Sequence, residues 1–254
     1  MILRRVHPEP QEVLDCEASD ARARLLEWYR PPNPEWLRVN LVATVNGSAA
    51  GKDGTSETIT SAMDRRILGV IRELSDVVLV GAASVRSEGY QLPKKSRLAV
   101  VTSTGHLDGH RIDSDAGDRL IVICPLAVVD VVRAQFSGAL ILSRADSNTD
   151  PAAPMDPIEV MTLLRDKGFA SIVCEGGPRL ATQLVNAGLT DELCLTTSPL
   201  LTSARLPLFA TPDPAGSAAE NSLELTQLII DESSSLYARW AFRRDGSEAR
   251  LART

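Results

Sequence analysis

Glu175, Gly176, Gly177 and Pro178 are the consecutive residues of this sequence best suited to chemistry on a bound ligand. They follow Ser171-Ile172-Val173-Cys174, a short apolar run that reads as a buried strand. Paired glycines let a ligand approach the backbone closely, and the free N–H groups at a helix N-terminus attract anions such as phosphate. Pro178 suits a first helical turn, and Gly188 suits the position just past a helix end. Leu180, Leu184 and Val185 recur at helical spacing between them. Glu175 stands where the strand stops, and a carboxylate at a buried strand end is costly unless used. Glycines and proline alone fit a packing turn as well, since the pattern is neither G-x-G-x-x-G nor a P-loop.

Other chemistry is sparse. Cys16, Cys124, Cys174 and Cys194 form no C-x-x-C pair, and three of them lie in apolar runs, so buried reduced thiols are expected. His106 and His110 are four apart, but Gly105 and Gly109 break any helix there, so no metal site is expected. No H-x-E…P-C-x-x-C signature occurs, so no zinc deaminase part is expected. A net charge of -6 without a Lys/Arg-rich run argues against a nucleic-acid surface. No apolar stretch approaches a membrane span and Met1-Ile2-Leu3-Arg4-Arg5 lacks a signal-peptide core, so a cytoplasmic protein off the membrane is expected.

The elements that must hold these residues follow from periodicity. The first 35 residues read as a poorly patterned N-terminal arm, with a short helix at Ala21–Tyr29 ended by Pro31-Pro32-Asn33-Pro34. Trp36–Val45 is a first core strand running into the turn pair Asn46-Gly47. Ser61-x-x-Asp64 is a capping box, and Met63, Ile67, Val70, Ile71 and Leu74 continue a helix into a strand at Asp76–Gly81. Further strands are expected at Arg97–Thr102, Arg119–Cys124 and Ala139–Leu142. Helices are expected at Pro125–Phe136 and Asp156–Lys167. Asp146–Pro157 reads as a surface loop, and Pro199–Glu220 as a proline- and alanine-rich one. Ser222–Ile230 and Ser235–Arg243 alternate and suggest an antiparallel hairpin with one solvated face. The 254 residues, 44% hydrophobic and 24% charged, suit one α/β domain over residues 36–244, with a central mixed, mostly parallel sheet flanked by helices and a tail over 245–254.

Five stretches in order carry a resemblance. They are Arg38-Val39-Asn40-Leu41-Val42-Ala43-Thr44-Val45-Asn46-Gly47, Thr55-Ser56-Glu57-Thr58-Ile59-Thr60, Ile71-Arg72-Glu73-Leu74-Ser75-Asp76, Val80-Gly81-Ala82-Ala83-Ser84-Val85, and Glu175-Gly176-Gly177-Pro178 with Leu189-Thr190-Asp191-Glu192-Leu193. From Trp36 to Arg243 the chain resembles the pyrimidine reductase domain of riboflavin biosynthesis, whose fold is related to dihydrofolate reductase.

The resemblance implies a single dihydrofolate-reductase-like domain, usually dimeric, that uses NADPH to reduce a ribosylaminopyrimidine phosphate. It implies cofactor contacts at Val42, Thr58, Ser84, Glu88, Thr102 and Ser103, and along Gly176, Gly177, Pro178, Arg179, Leu180 and Ala181. Substrate contacts fall on Ser56, Arg72, Leu92, Lys95 and Glu175, with Arg72 and Lys95 as phosphate partners. Glu175 and Asn46 fall at catalytic positions. By type alone, Arg72 fits a solvated helix face as well, and Lys94, Lys95 and Arg97 fit a charged loop equally. Two departures stand out. Thr44-Val45-Asn46-Gly47 replaces the usual Ser-Leu-Asp-Gly, and an amide supplies neither a proton nor a negative charge. Glu88-Gly89-Tyr90 replaces the usual Asp-Asn-Pro. The substrate pocket has therefore drifted more than the cofactor site, which opens a pterin-like substrate, or a non-catalytic NADP(H)- or metabolite-binding protein, as alternatives.

Overall fold

Several apolar runs in this chain are continuous rather than alternating, which requires a sheet covered on both faces. The computed structural model, which describes residues 1–113, 116–143, 154–210 and 220–243, has that sheet. In chain order the elements are β1 (Ile2–His7), β2 (Glu12–Asp15), α1 (Ala21–Tyr29), β3 (Trp36–Thr44), α2 (Ala62–Glu73), β4 (Val77–Gly81), α3 (Ala82–Glu88), β5 (Arg97–Val101), β6 (Leu120–Ile123), α4 (Val129–Gln135), β7 (Leu140–Leu142), α5 (Pro157–Asp166), β8 (Ser171–Cys174), α6 (Pro178–Asn186), β9 (Glu192–Ser198), β10 (Leu223–Asp231) and β11 (Leu236–Phe242). Short 3₁₀ turns occupy Gly117–Arg119 and Leu126–Val128.

The strands form one sheet in the order β2-β1-β10-β11-β9-β3-β8-β4-β5-β6-β7. From β9 to β7 neighbours are parallel, and from β2 to β9 they are antiparallel. This is the single α/β domain with a mixed, mostly parallel sheet and a closing hairpin that the periodicity predicts. Side chains alternate across each strand. Val78 and Val80 of β4 therefore enter the core with α2 residues Met63, Ile67, Val70 and Ile71, while Val77 and Leu79 enter the opposite core with Val160, Leu164, Leu180 and Leu184 of α5 and α6. The α2 start is as the capping box requires, with the Ser61 hydroxyl accepting from the Asp64 N–H at 3.0 Å. All four cysteines are free and buried.

Two expectations need correction. The N-terminal residues are not an arm: β1 pairs with β10 and β2 with β1, adding two strands to the sheet. Leu3 is the one fully buried residue of β1 and Leu14 of β2, too few to leave a periodic signal. The helix expected from Pro125 begins at Val129 instead, after the 3₁₀ turn. Most of the expected loop Asp146–Pro157, part of the loop Pro199–Glu220 and the tail over 245–254 lie outside the described residues.

A buried ion cluster joins the two halves of the sheet. Glu192, at the start of β9, is 2% exposed and accepts from Arg239 Nε of β11 at 2.7 Å and from Arg38 Nε of β3. The same arginines donate onward to the carbonyls of Tyr29 (from Arg38) and Trp28 (from Arg239), which pins the end of α1. Burial raises the Glu192 pKa, but Arg38 and Arg239 outweigh it and hold the carboxyl below its usual range. Glu192→Gln leaves two buried guanidiniums without their anion, and we expect a loss of about 3–5 kcal/mol in urea unfolding at neutral pH. Because the folded carboxyl has the lower pKa, its stabilisation is present above the unfolded value of about 4.3 and fades as pH falls through the folded one. The gap between parent and variant should therefore narrow below about pH 4; a pH-independent gap would refute this account.

Candidate functional site

Strand order turns back at β8. The chain lays β4, β5, β6 and β7 outward from β3, then returns to insert β8 between β3 and β4. The connection leaving β4 goes into α3 on one face, whereas that leaving β8 goes into α6 on the other. Helices diverging from adjacent parallel strands leave a crevice at their carboxyl ends, the usual ligand site of such sheets.

The glycine turn forms one wall of this crevice. Gly176 has φ +119°, a backbone region that side-chain-bearing residues rarely adopt. Its carbonyl accepts from Gly81 N–H at 3.1 Å, and Gly177 N–H donates to Ser84 Oγ at 2.9 Å, which ties the start of α6 to α3. A Cβ on Gly177 would stand 2.9 Å from that hydroxyl. No side chain caps α6, so the first-turn amides of Arg179 and Leu180 remain available to an anion. Leu180 and Ala181 themselves point into the core.

Glu175 N–H bonds the Leu79 carbonyl at 3.1 Å, so the residue follows β8 in register with β4. Its side chain is 3% exposed and meets Arg72, on the last turn of α2, as a fork: Nε to Oε1 and Nη2 to Oε2, both 2.6 Å. Burial opposes the Arg72 charge, but the hydrogen-bonded carboxylate outweighs it and raises the guanidinium pKa. The Tyr90 hydroxyl lies 3.4 Å from Glu175 Oε2 and 3.5 Å from the Glu175 carbonyl oxygen. Burial, with Glu175 and Glu88 adding to it, pushes the Tyr90 phenol well above its usual pKa, so it stays a donor. Glu88 sits at the rim and accepts from Ser56 Oγ at 2.9 Å; its crowded surroundings raise its pKa, Ser56 lowers it, and Glu175 raises it further.

The remaining candidates disperse. Lys95 precedes β5, so it lies at the amino edge of the sheet, where it pairs with Glu73. An open cavity of about 390 Å³ on that edge is lined by Glu73, Asp76, Lys95, Arg97 and Lys167. It holds Lys95 but none of the glycine-turn residues, and the crevice on the opposite edge is the chemically coherent site. Leu92 packs against the core. Thr58 donates to Asp53 Oδ1 at 2.8 Å within the polar loop after β3. Val42 is half-buried on β3 beside Thr196. Thr102 is buried, its hydroxyl accepting from Gly105 N–H at 3.0 Å, and Ser103 follows it half-exposed at the carboxyl end of β5. Asn46 is engaged through both polar atoms: Oδ1 accepts from Thr44 Oγ1 at 2.8 Å and Thr202 N–H at 3.3 Å, and Nδ2 donates to the Thr202 carbonyl at 2.8 Å. Tyr90 is the residue that pattern reading passed over; Gly89 before it, left-handed at φ +61°, is the available signal. Among the described residues no His, Cys, Asp and Glu group could hold a metal, and no helix is long and apolar enough to cross a membrane.

Fold and crevice together define a single α/β domain with a ligand crevice at the carboxyl edge of its parallel strands. A pyrimidine reductase-like protein from Corynebacterium diphtheriae superposes with a TM-score of 0.72 over 88% of this chain and 99% of that one, at 19% identity. The chain belongs to the RibD C-terminal domain family, whose model matches residues 35–227. Riboflavin biosynthesis protein RibD of Corynebacterium ammoniagenes is 26% identical over 217 residues, covering 81% of this chain and 53% of that protein. The 2,5-diamino-6-ribosylamino-4(3H)-pyrimidinone 5′-phosphate reductase of Archaeoglobus fulgidus is 23% identical over 189 residues, covering 67% and 83%. The chain thus spans about half the length of the RibD relatives it matches.

Two substitutions test the local geometry. Gly176→Ala forces a Cβ into a positive-φ conformation, and we expect a loss of about 1–3 kcal/mol by urea denaturation. Asn46→Asp sets a carboxylate oxygen against the Thr202 carbonyl, two acceptors with no proton between them. The Thr202 N–H keeps its acceptor, so at this exposed turn we expect a cost of about 1 kcal/mol by urea denaturation from the lost bond to the Thr202 carbonyl; an unchanged midpoint would contradict that assigned bond.

Proposed function

We propose that this protein is an NADPH-dependent reductase of a ribosylaminopyrimidine 5′-phosphate in riboflavin biosynthesis, working as a cytoplasmic homodimer. The observation that carries this reading is the uncapped, glycine-led N-terminus of α6, set in the carboxyl-edge crevice beside the Glu175–Arg72 fork. Family membership and the Archaeoglobus fulgidus relative's name support the substrate class. When bound, the nicotinamide cofactor supplies the hydride. The chain's own work is positional. The amides of Arg179 and Leu180 hold a pyrophosphate, and Ser84 fixes the turn that presents them. Ser103, beside Thr102 at the next strand end, is the group suited to an adenosine phosphate. Arg72 keeps Nη1 outside the fork for a substrate phosphate, and Glu175 Oε1 keeps a lone pair for a sugar hydroxyl or amine.

That same fork weighs against a pterin-like ligand. A pterin edge docks on a carboxylate through two parallel N–H donors, but both Glu175 oxygens already take Arg72. Displacing Arg72 would strand its charge in a half-buried position. A second reading, a non-catalytic NADP(H)- or metabolite-binding protein, draws support from Asn46, whose polar atoms are spent on Thr44 and Thr202. Exposed Leu236 and half-buried Trp240 and Phe242 on β11 support the dimer, which sedimentation at two concentrations would test.

Calorimetric titration with NADPH and NADH is the deciding experiment. Micromolar NADPH binding, with NADH at least tenfold weaker, is expected, followed by loss of nicotinamide absorbance with the ribosylaminopyrimidine phosphate. Binding of neither nucleotide would end the reductase reading. Binding without turnover, cured by Asn46→Asp, would establish the non-catalytic one.

A further inference from the structure

Arg72 by itself does not fix the Glu175 carboxylate. Arg72 has 28% of its side chain exposed, and Glu175 has 3%. A carboxylate on a strand end can turn about its own side-chain torsions, and a fork with one mobile partner does not by itself fix the direction of the lone pair left on Oε1. The element that closes this freedom comes from α3. Gly89 ends α3 in the left-handed conformation, its N–H bonded to the Val85 carbonyl at 3.1 Å. A Cβ at Gly89 would meet the Arg111 side chain at 2.9 Å, so the reversal is confined as well as turned. The reversal sends Tyr90 back onto the core, against the same buried cluster as Leu92, and its hydroxyl arrives near Glu175 Oε2 and the Glu175 carbonyl oxygen.

We propose that Tyr90 is a positioning residue for Glu175: its hydroxyl, 3.4 Å from Oε2 and 3.5 Å from the Glu175 carbonyl oxygen, steers the carboxylate so that it stays in plane with the Arg72 fork and presents Oε1 to the substrate. This rests on the reading that Glu175 meets the substrate. The contacts of 3.4 and 3.5 Å are long for an O–H donor, so the hydroxyl steers the carboxylate rather than clamping it. The phenol remains protonated in its buried place, so the donor is present throughout the working pH range. The charged groups facing it are Glu175, Arg72 and Glu88, two acceptors and one donor, which leaves Tyr90 no competing role as a base.

Tyr90→Phe keeps the ring and its packing and removes only the hydroxyl. Compared with Glu175→Gln and with the double variant, it has two readouts. The first needs no substrate: hydrogen exchange of the Arg72 Nε–H, followed by nitrogen-15 NMR in the full chain. Tyr90→Phe should speed that exchange severalfold while the urea midpoint stays near that of the parent. The second is kinetic: kcat with the ribosylaminopyrimidine phosphate and NADPH should fall about tenfold with KM within twofold, and Tyr90→Phe should add less than twofold in the Glu175→Gln background, because the two changes act through one group. Unchanged Arg72 exchange, or losses that multiply in the double variant, would overturn the proposal. A parent without turnover would overturn the reductase reading instead, while the exchange measurement still decides whether Tyr90 holds Glu175.

Discussion

A single buried carboxylate, Glu192, ties together three strands and a helix. It faces Arg38 from a parallel neighbour and Arg239 from an antiparallel one, so it sits where the sheet changes character. Desolvating one carboxylate and two guanidiniums is expensive, and the arrangement is tolerable only because nearly every lone pair and proton finds a partner. The spare donors of the two arginines reach the Trp28 and Tyr29 carbonyls, which lets α1 end without exposing its last backbone acceptors. Arg239 also stacks over Tyr29, and Arg5 and Arg24 each lie over the Trp28 ring. The first 29 residues are therefore fastened to the sheet by charge as much as by apolar contact.

With that junction fixed, β3 and β9 are fixed, and β8 must enter on the far side of β3. Asp76 guides it, accepting from the Ala170 and Ser171 amides at 2.9 Å each. The crevice is a consequence of this insertion, because α3 and α6 then leave neighbouring strand ends toward opposite faces. Its chemistry comes from three short segments distant in sequence: the end of α2, the turn after α3 and the turn after β8. Arg72, Tyr90 and Glu175 meet there, while Ser84 and Gly177 lock the two helix starts to each other.

The departures from the family pattern acquire structural meaning in this frame. Asn46 in place of an acid is built into its surroundings: its amide satisfies a carbonyl that a carboxylate would repel. Glu88-Gly89-Tyr90 supplies a phenol beside Glu175 and a carboxylate at the rim bound to Ser56. The first change lies on the turn after β3 against Thr202, and the second reaches Glu175 at the start of the glycine turn.

Periodicity made most of the architecture legible. Continuous runs such as Val77–Gly81 declared strands buried on two faces, Ser61 and Asp64 declared the start of α2, and the alternation of the last two segments declared a hairpin. The glycine turn and Glu175 were visible because their residue types are costly anywhere else. What the sequence did not disclose depends on contacts between distant segments. β1 and β2 join the sheet through backbone bonds to β10, which any side chains permit, so their residues carry little pattern. Lys95 and Arg72 look alike as basic residues near strand starts, yet one pairs with Glu73 at the amino edge and the other reaches Glu175. Tyr90 and Glu192 acquire their roles only from the groups they face, and side-chain partners across a sheet are set by strand order, which local sequence does not encode.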